Sequence, residues 1–549
     1  MRRPALPPRP GLVLVSALLL GLAHPPFDLL FPSFTALIPF GIWLAGLPAG
    51  DGGRRAALRG GFLLGVIYYS LVFYWLLVAL VFYTKLAILA FAAPVLILAG
   101  ILGLATAGAH EAMEKGRWPV WLALPVFWTG AEWLRGHLGD VAFPWMGFGD
   151  TLTGYPWLVG AADVVGARGI TFWLVLLNGL GAALVLRSRE RRWDGGGQAL
   201  PRPLGRLAAG ALVVLLVPIA YSAVRWRTLA TRPAATVAVF QPNIPEDLKM
   251  KPTIAADSAV VAIGRLVRSL PAGEVRPDLV VLPETVLPVF VDSIPSLDWP
   301  GRQGLRRWVA DLARRFDAAV LYGAIGSRDL GDGDYEYFNS AFLVDGTGAR
   351  AGRYDKRYLV PIVERVPFVD PARFRKLKYF GGFGVGRERP RLEAGGHRFG
   401  VLICYESIFA AQSRAHRRDG AEFLVNITND AWFGRAEPWW SRSSALSQHP
   451  AHLVMRAIEN RVGIARSANT GISGVVDPRG RWTERTALFE PDAFTAQVLT
   501  TDGLTAYARL GDVVGWAAAL ASLVGVLAGS RMRRRQRRPD DGFPGATGA

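Results

Sequence analysis

The sequence predicts a polytopic α-helical membrane domain joined to a layered α/β domain. Three observations carry that prediction. Hydrophobic residues make up 51% of the 549 and mean hydropathy is +0.25, which is unusual for a soluble chain. The apolar residues concentrate in positions 1–225 and again at 506–529, as membrane-spanning segments do. Between those regions, short apolar runs alternate with helical periodicity, the pattern of strands packed under helices.

Arg2, Arg3 and Arg9 precede a first apolar run at 11–23. No small-residue cleavage site follows, and His24-Pro25-Pro26-Phe27 leads directly into more apolar sequence, so this run is expected to be a retained span rather than a signal peptide. Further spans are expected at 34–47, 61–83, 86–109, 120–133, 170–186, 207–224 and 506–529, eight in all. Several fall short of the ~20 residues of a full crossing, so tilt or partial burial is expected. The cations alternate between loops. Arg54, Arg55 and Arg59 lie between spans two and three, Lys115 and Arg117 between four and five, and Arg187, Arg189, Arg191, Arg192, Arg202 and Arg206 between six and seven. Six arginines from Arg531 to Arg538 follow the last span, while the other loops are poor in Lys and Arg. The positive-inside rule then places both termini in the cytoplasm and the segment between spans seven and eight outside it. The net charge of +18 therefore reports membrane orientation and headgroup contact rather than nucleic acid. The domain boundaries that follow are 1–230 for the membrane domain, 231–505 for the α/β domain, 506–530 for the last span and 531–549 for a basic cytoplasmic tail. A single cysteine excludes an intramolecular disulfide.

Within 231–505, strands are expected at 235–241, 279–282, 319–323, 340–344, 399–403, 423–427 and 463–467, and helices at 258–270, 305–316 and 441–460. The region is long enough for its own core. Three strand ends carry chemistry. The run Gly400 to Ile403 ends at Cys404, the only cysteine, and helical sequence follows from Ser407 to Arg418. A nucleophile at a strand-to-helix turn stands exposed at the sheet edge, beside the N–H groups of the turn. Leu282-Pro283-Glu284-Thr285 sets an acid just beyond another strand, and Tyr354-Asp355-Lys356-Arg357-Tyr358 presents a lysine. Singly, each has a mundane explanation: a buried thiol, a solvated acid, a surface cation. Together they suit acyl transfer. A free thiol is only a few per cent thiolate at neutral pH. An ammonium favours the thiolate and later holds an oxyanion, and a carboxylate takes and returns the thiol proton.

Leu-Pro-Glu-Thr, Tyr-Asp-Lys-Arg-Tyr-Leu-Val-Pro and Leu-Ile-Cys-Tyr-Glu-Ser resemble the Glu-Lys-Cys motifs of the nitrilase superfamily. With the eight-span frame, the chain resembles its membrane branch, the apolipoprotein N-acyltransferases, over nearly its whole length. The resemblance implies an α-β-β-α sandwich on the periplasmic side of the bacterial inner membrane. It implies Glu284 as general base, Lys356 as oxyanion-stabilising cation and Cys404 as nucleophile, with Glu364 as a further essential acid. Tyr405 and Glu406 match the residues after the nucleophile, and Asn339, Trp432 and Trp145 fall in other matching pieces, around Tyr337-Phe338-Asn339-Ser340, Asn429-Asp430-Ala431-Trp432 and Phe143-Pro144-Trp145. The implied partners are a phospholipid acyl donor, a diacylglyceryl-modified apolipoprotein acceptor and the bilayer. The implied reaction passes through a Cys thioester and uses no cofactor. Met250 departs from the family, which commonly has tryptophan after the position of Lys249.

Two other classes stay open on the residues alone. A membrane-tethered amidase uses the same triad with water as second nucleophile. A transporter with an external domain needs ionisable residues within its spans, for which Glu132 and Asp163 are the near-candidates. Trp439 and Trp440 suit an interfacial belt. His449 and His452 lack a third ligand at convergent spacing, so no metal is expected. The run 379–386 is rich in Gly and aromatic residues but lacks the Lys-Ser/Thr of a phosphate loop, and is expected to be a hinged loop at a membrane-facing mouth. The topology has a direct test. Reporter fusions at Arg192 and at Gly331 are expected to lie in opposite compartments, and finding both in one compartment overturns the span count.

Overall fold

A computed structural model describes residues 10–82, 84–193, 202–249, 251–270, 276–291, 301–331, 333–369 and 382–536. Arg2, Arg3, Arg9, Met250, residues 379–381 of the glycine-rich loop and the end of the tail from Arg537 lie outside them.

Among the described residues, four helices are long and apolar enough to cross a bilayer: Gly50–Phe73, Ala87–Glu114, Ala162–Arg189 and Leu204–Thr228. The protein is membrane-integral. The other expected spans are shorter or broken. Gly11–Ala23 has 13 residues, about 20 Å at 1.5 Å each, against a hydrocarbon core of about 30 Å. The expected span at 34–47 is two helices, Leu30–Thr35 and Ile38–Ala45, and the fifth, Val120–Arg135, has 16 residues. The third helix begins at Gly50 rather than 61, so Arg54, Arg55 and Arg59 stand on it rather than in a loop. The last span begins at 513 rather than 506. Gly511, at φ +79°, ends the short helix Ala506–Leu510 before Val513–Gln536 starts, a conformation that glycine adopts without steric cost.

Among its described residues the α/β region holds thirteen strands: β1 Arg232–Gln241, β2 Leu279–Val281, β3 Leu287–Phe290, β4 Ala319–Gly331, β5 Asp334–Val344, β6 Arg350–Asp355, β7 Leu392–Ala394, β8 His397–Ile403, β9 Phe423–Thr428, β10 Ile464–Ala468, β11 Gly474–Val476, β12 Trp482–Arg485 and β13 Asp492–Thr500. They form two sheets, ordered β13-β1-β2-β4-β5-β6 with β3 on β4, and β12-β11-β10-β9-β8-β7. The centre of each sheet is parallel, with Val239, Val281 and Leu321 in register in one and Ile403, Ile427 and Ser467 in the other. Parallel central strands end at a common edge, where loops can converge.

All seven expected strands are present. Their side chains alternate, and both faces are buried, which is why they read as near-continuous apolar runs. Val237, Val239, Val281 and Leu343 of the first sheet pack against Val401, Ile403, Val425 and Ala465 of the second. Ala238, Phe240, Val280 and Val320 face the opposite way, among residues of the helices Pro252–Ser269 and Arg302–Phe316. This is the α-β-β-α sandwich. The unforeseen strands are short or, like β13, polar and only half-buried, so they lack the apolar signature.

The helix Ala445–Asn460 is apolar on two faces. Leu453 and Ala457 join Leu402, Leu424 and Ile464 of the second sheet, while Leu446, Val454, Met455 and Ile458 join the core of the membrane helices. Polar contacts lock the same boundary. Gln448 donates to the carbonyls of Pro25 (3.1 Å) and Val72 (3.2 Å). Arg461, buried just after the helix, donates to Asp163 at 2.9 Å and to the Gly160 carbonyl at 2.8 Å. Asp163 also accepts from Arg225 (3.1 Å) and Tyr221 (2.9 Å). Removing one partner of a buried ion pair costs far more than the pair contributes, because the other charge is stranded. Asp163→Ala is therefore expected to destabilise the folded protein by about 3–5 kcal/mol, measured by thermal unfolding in detergent. A melting temperature equal to that of the wild type refutes the clamp.

Candidate active site

The site assembles at the ends of β2, β6 and β8, beside Asn339 within β5. Glu284 follows β2 and Pro283. Its neighbour Thr285 has φ +44°, and Gly323 of β4 lies against both. A Cβ on Gly323 would stand 2.6 Å from Glu284 Cα and 2.4 Å from Thr285 N, so only glycine lets β4 support this turn. The carboxylate is buried and its oxygens are divided. Oε1 accepts from Asn339 Nδ2 at 2.7 Å and from Lys356 Nζ at 3.3 Å, and Oε2 accepts from the Asn429 N–H at 2.8 Å.

Lys356 follows β6, its own N–H held by the Asn339 carbonyl at 2.9 Å. Its side chain is 1% exposed. Nζ donates to Glu364 Oε1 at 2.9 Å. Glu364 is fixed in turn by Asn339 Nδ2 (2.9 Å) and the Val360 N–H (2.8 Å). Asn339 thus holds the two acids on either side of one ammonium. Burial opposes the charge on Lys356, but Glu364 and then Glu284 outweigh it and raise the ammonium above its ordinary range.

Cys404 leaves β8 in the left-handed region, φ +49°, which costs a non-glycine residue about 1–3 kcal/mol and marks functional turns. The helix expected from Ser407 starts later, at Ala410. A 3-10 turn, Cys404–Ile408, comes first. The thiol is 8% exposed. Burial pushes it up, Glu284 adds to this, and Lys356 and a hydrogen bond with Thr428 oppose it without prevailing. Lys356 thus favours the thiolate, as expected of an ammonium, but burial outweighs it. Two carboxylates already surround one ammonium, and a further anion is unfavourable there.

Glu406 and Tyr405 do other work. Glu406 Oε1 accepts from the N–H groups of Arg357 (2.7 Å) and Tyr358 (3.3 Å) and from Tyr354 OH (2.8 Å). Oε2 accepts from the Ile403 N–H (2.8 Å) and Tyr354 OH (2.9 Å). One buried carboxylate so ties the lysine loop to the cysteine turn. Tyr405 turns away from the acids. Its OH donates to the Ala142 carbonyl at 2.9 Å, and its ring stacks on Phe143. Trp145 is buried, donates to Gln448 Oε1 at 2.8 Å and stacks on His449 with centroids 5.5 Å apart. Trp432 is half-buried in the turn that follows Asn429. Trp439 and Trp440 are exposed, and Trp440 stacks on Phe82.

The structure thus brings Glu284, Lys356, Glu364, Asn339 and Cys404 together, ties in Glu406 from behind, and sets Tyr405 and Trp145 on the boundary with the membrane helices. Sequence reasoning gave no role to Asn429 or Gly323. Asn429 stood inside a matching motif, whereas Gly323 left no signal beyond a strand glycine. Among the described residues, no three His, Cys, Asp or Glu side chains group to hold a metal. The arrangement supplies a thiol, a base that can take its proton, and a fixed cation beside both: the chemistry of covalent acyl transfer.

The family model described as carbon-nitrogen hydrolase matches residues 236–502, and the one described as apolipoprotein N-acyltransferase N-terminal domain matches residues 16–180. An apolipoprotein N-acyltransferase of Geobacter metallireducens is 32% identical, over 95% of this chain and 96% of its own. One from Methylococcus capsulatus is 30% identical over 95% and 96%. Among solved structures, a nitrilase-superfamily amidase from Nesterenkonia is 19% identical, with a TM-score of 0.34 over 50% of this chain and 94% of its own.

Burial pushes Glu406 up to about 7 against the pull of the Ile403 and Arg357 N–H groups, so at pH 8 it is largely a carboxylate. Both its oxygens receive N–H donors. In Glu406→Gln, either orientation of the amide turns its NH2 onto a backbone N–H. The substitution is expected to cost about 1.5–3 kcal/mol at pH 8, the worth of a hydrogen bond to a charged group, read as a lower melting temperature. No change in melting temperature overturns the tie.

Proposed function

The chain belongs to the apolipoprotein N-acyltransferase family, and on that premise we propose that it moves a fatty acyl chain from a phospholipid to the α-amine of a lipid-modified N-terminal cysteine. The observation that carries this reading is the placing of the only cysteine, on a strained turn, within reach of the electrostatic influence of both Lys356 and Glu284.

In the first half-reaction Cys404 Sγ attacks the ester carbonyl while Glu284 takes the thiol proton. The carbonyl oxygen gains charge beside Lys356 Nζ. The C–O bond then breaks, and Glu284 passes the proton to the departing glycerol oxygen, which releases a lysophospholipid and leaves a thioester on Cys404. In the second half-reaction the acceptor amine attacks the thioester carbonyl, Glu284 takes a proton from the nitrogen, and the proton returns to sulfur as the amide forms. Glu364 and Asn339 hold Lys356 and Glu284 in place through both steps. A thiol that keeps its proton at rest suits this scheme, because base and nucleophile then act together.

The membrane frame supports a lipid-anchored donor and acceptor, since neither needs to leave the bilayer. We place residues 231–505 on the periplasmic side of the inner membrane, as the arginine distribution suggests. Aromatic and apolar surroundings keep water from competing with the amine. Trp432, half-buried in the turn that follows Asn429, is assigned to the acyl chain.

A covalent mechanism divides the transfer in two, so the first half proceeds without the acceptor. With phospholipid alone, Cys404 is expected to gain the mass of one acyl group while lysophospholipid appears in equal amount. Neutral hydroxylamine is expected to remove the group, and Cys404→Ser to form no N-acyl product. If N-acylated lipoprotein forms while Cys404 stays unmodified, the covalent route is wrong.

A further inference from the structure

Behind the nucleophile lies a buried charged cluster that the two half-reactions do not use. His449, Asp430, Arg466 and Ser407 are each fully buried. His449 Nε2 stands 3.1 Å from the Cys404 carbonyl oxygen and 3.0 Å from Ser407 Oγ. Ser407 Oγ itself donates to the same carbonyl at 3.0 Å. On the other side of the ring, Nδ1 is 2.9 Å from Asp430 Oδ1.

Asp430 is tightly held. Oδ2 accepts from Arg466 Nη2 at 2.5 Å and Oδ1 from Thr428 Oγ1 at 2.9 Å. Burial opposes its charge, but Arg466 and then His449 outweigh this and keep the carboxyl well below the usual carboxylate range. Asp430 is therefore an acceptor only, and so is the Cys404 carbonyl. Asp430 Oδ1 and, at 3.3 Å, Arg466 Nη2 face Nδ1, while the Cys404 carbonyl and Ser407 Oγ face Nε2, and a ring that donates from Nε2 satisfies the carbonyl. Arg466 is anchored independently, through Asn426 and the Ile472 carbonyl, so the cluster has a fixed base on β9 and β10. Trp145 stacks on the ring from the membrane side.

The carbonyl at the end of this chain belongs to Cys404 itself, whose backbone is held left-handed. We propose that His449 is a positioning residue for the nucleophile: clamped by Asp430, it donates from Nε2 to the Cys404 carbonyl and holds residue 404 left-handed, with its thiol toward Glu284 and Lys356. This deepens the acyl-transfer reading and rests on Cys404 as the nucleophile. Ser407 shares the carbonyl and limits its other orientations.

The test measures two rates on the full-length protein in detergent: alkylation of Cys404 by iodoacetamide, followed by peptide mass, and single-turnover acylation by phospholipid. His449→Phe keeps a buried ring but cannot donate. It is expected to slow both rates by about tenfold or more, with KM for phospholipid within about twofold of wild type, since a positioning defect acts on the reacting step rather than on uniform binding. His449→Gln, whose amide can donate to the carbonyl, is expected to recover at least about threefold of that loss. Wild-type alkylation in His449→Phe at an unchanged melting temperature overturns the proposal, as does His449→Gln being no faster than His449→Phe. If His449→Phe does not fold, Asp430→Asn decides. It keeps the shape but weakens the ring's clamp, and is expected to slow alkylation by about fivefold or more; a wild-type rate there also overturns the proposal. The two readings fail differently. A wild-type protein that is alkylated normally yet never takes up an acyl group refutes the acyl-transfer reading, and the alkylation rates of the variants still settle the role of His449.

Discussion

An ammonium with 1% exposure governs the catalytic half of this molecule. Taking such a charge out of water costs several kcal/mol, and only close opposite charges with well-made hydrogen bonds offset that. Lys356 meets the requirement with Glu284 and Glu364, and Asn339 keeps those two acids in place by donating to both. Glu284 follows β2, Asn339 lies within β5, and Lys356 and Glu364 follow β6, so the pairing fixes how these three strands sit against one another. The same pairing sets the chemistry. Burial and the Glu284 carboxylate push the neighbouring Cys404 thiol up, and Lys356 opposes them.

Cys404 belongs to the other sheet, and a second set of contacts places it. Glu406 ties its turn to the lysine loop through four donors, all on groups of opposite walls of the site. Tyr405 carries the same turn outward to the Ala142 carbonyl, and His449 reaches its carbonyl from a helix whose far face is packed into the membrane helices. The geometry of Cys404 therefore depends on the membrane frame as well as on the sandwich. This couples lipid-side structure to the reacting sulfur without a long pathway, because only one helix, Ala445–Asn460, stands between them.

Much of this was legible in the chain itself. The buried strands announced themselves because both their faces are apolar, and the three strand-end motifs pointed to Glu284, Lys356 and Cys404 as one chemical group. Element limits were less legible. Arginines near 54–59 read as a loop, although Arg is a good helix former and the helix runs straight through them. The last apolar run read as one span, although Gly511 breaks it with a positive φ that only the packed chain reveals.

What the sequence by itself determined is what local periodicity and side-chain chemistry can encode: the membrane and α/β halves, the central strands and the residue types of the triad. The tertiary structure alone decided which charges meet. Asp163 and Arg461 lie 298 positions apart, and Trp145 and Gln448 lie 303 apart. No repeat or spacing in the chain records such pairs. It likewise decided that His449 lies behind Cys404 and that burial raises the thiol, because packing and desolvation exist only once the chain has closed around them.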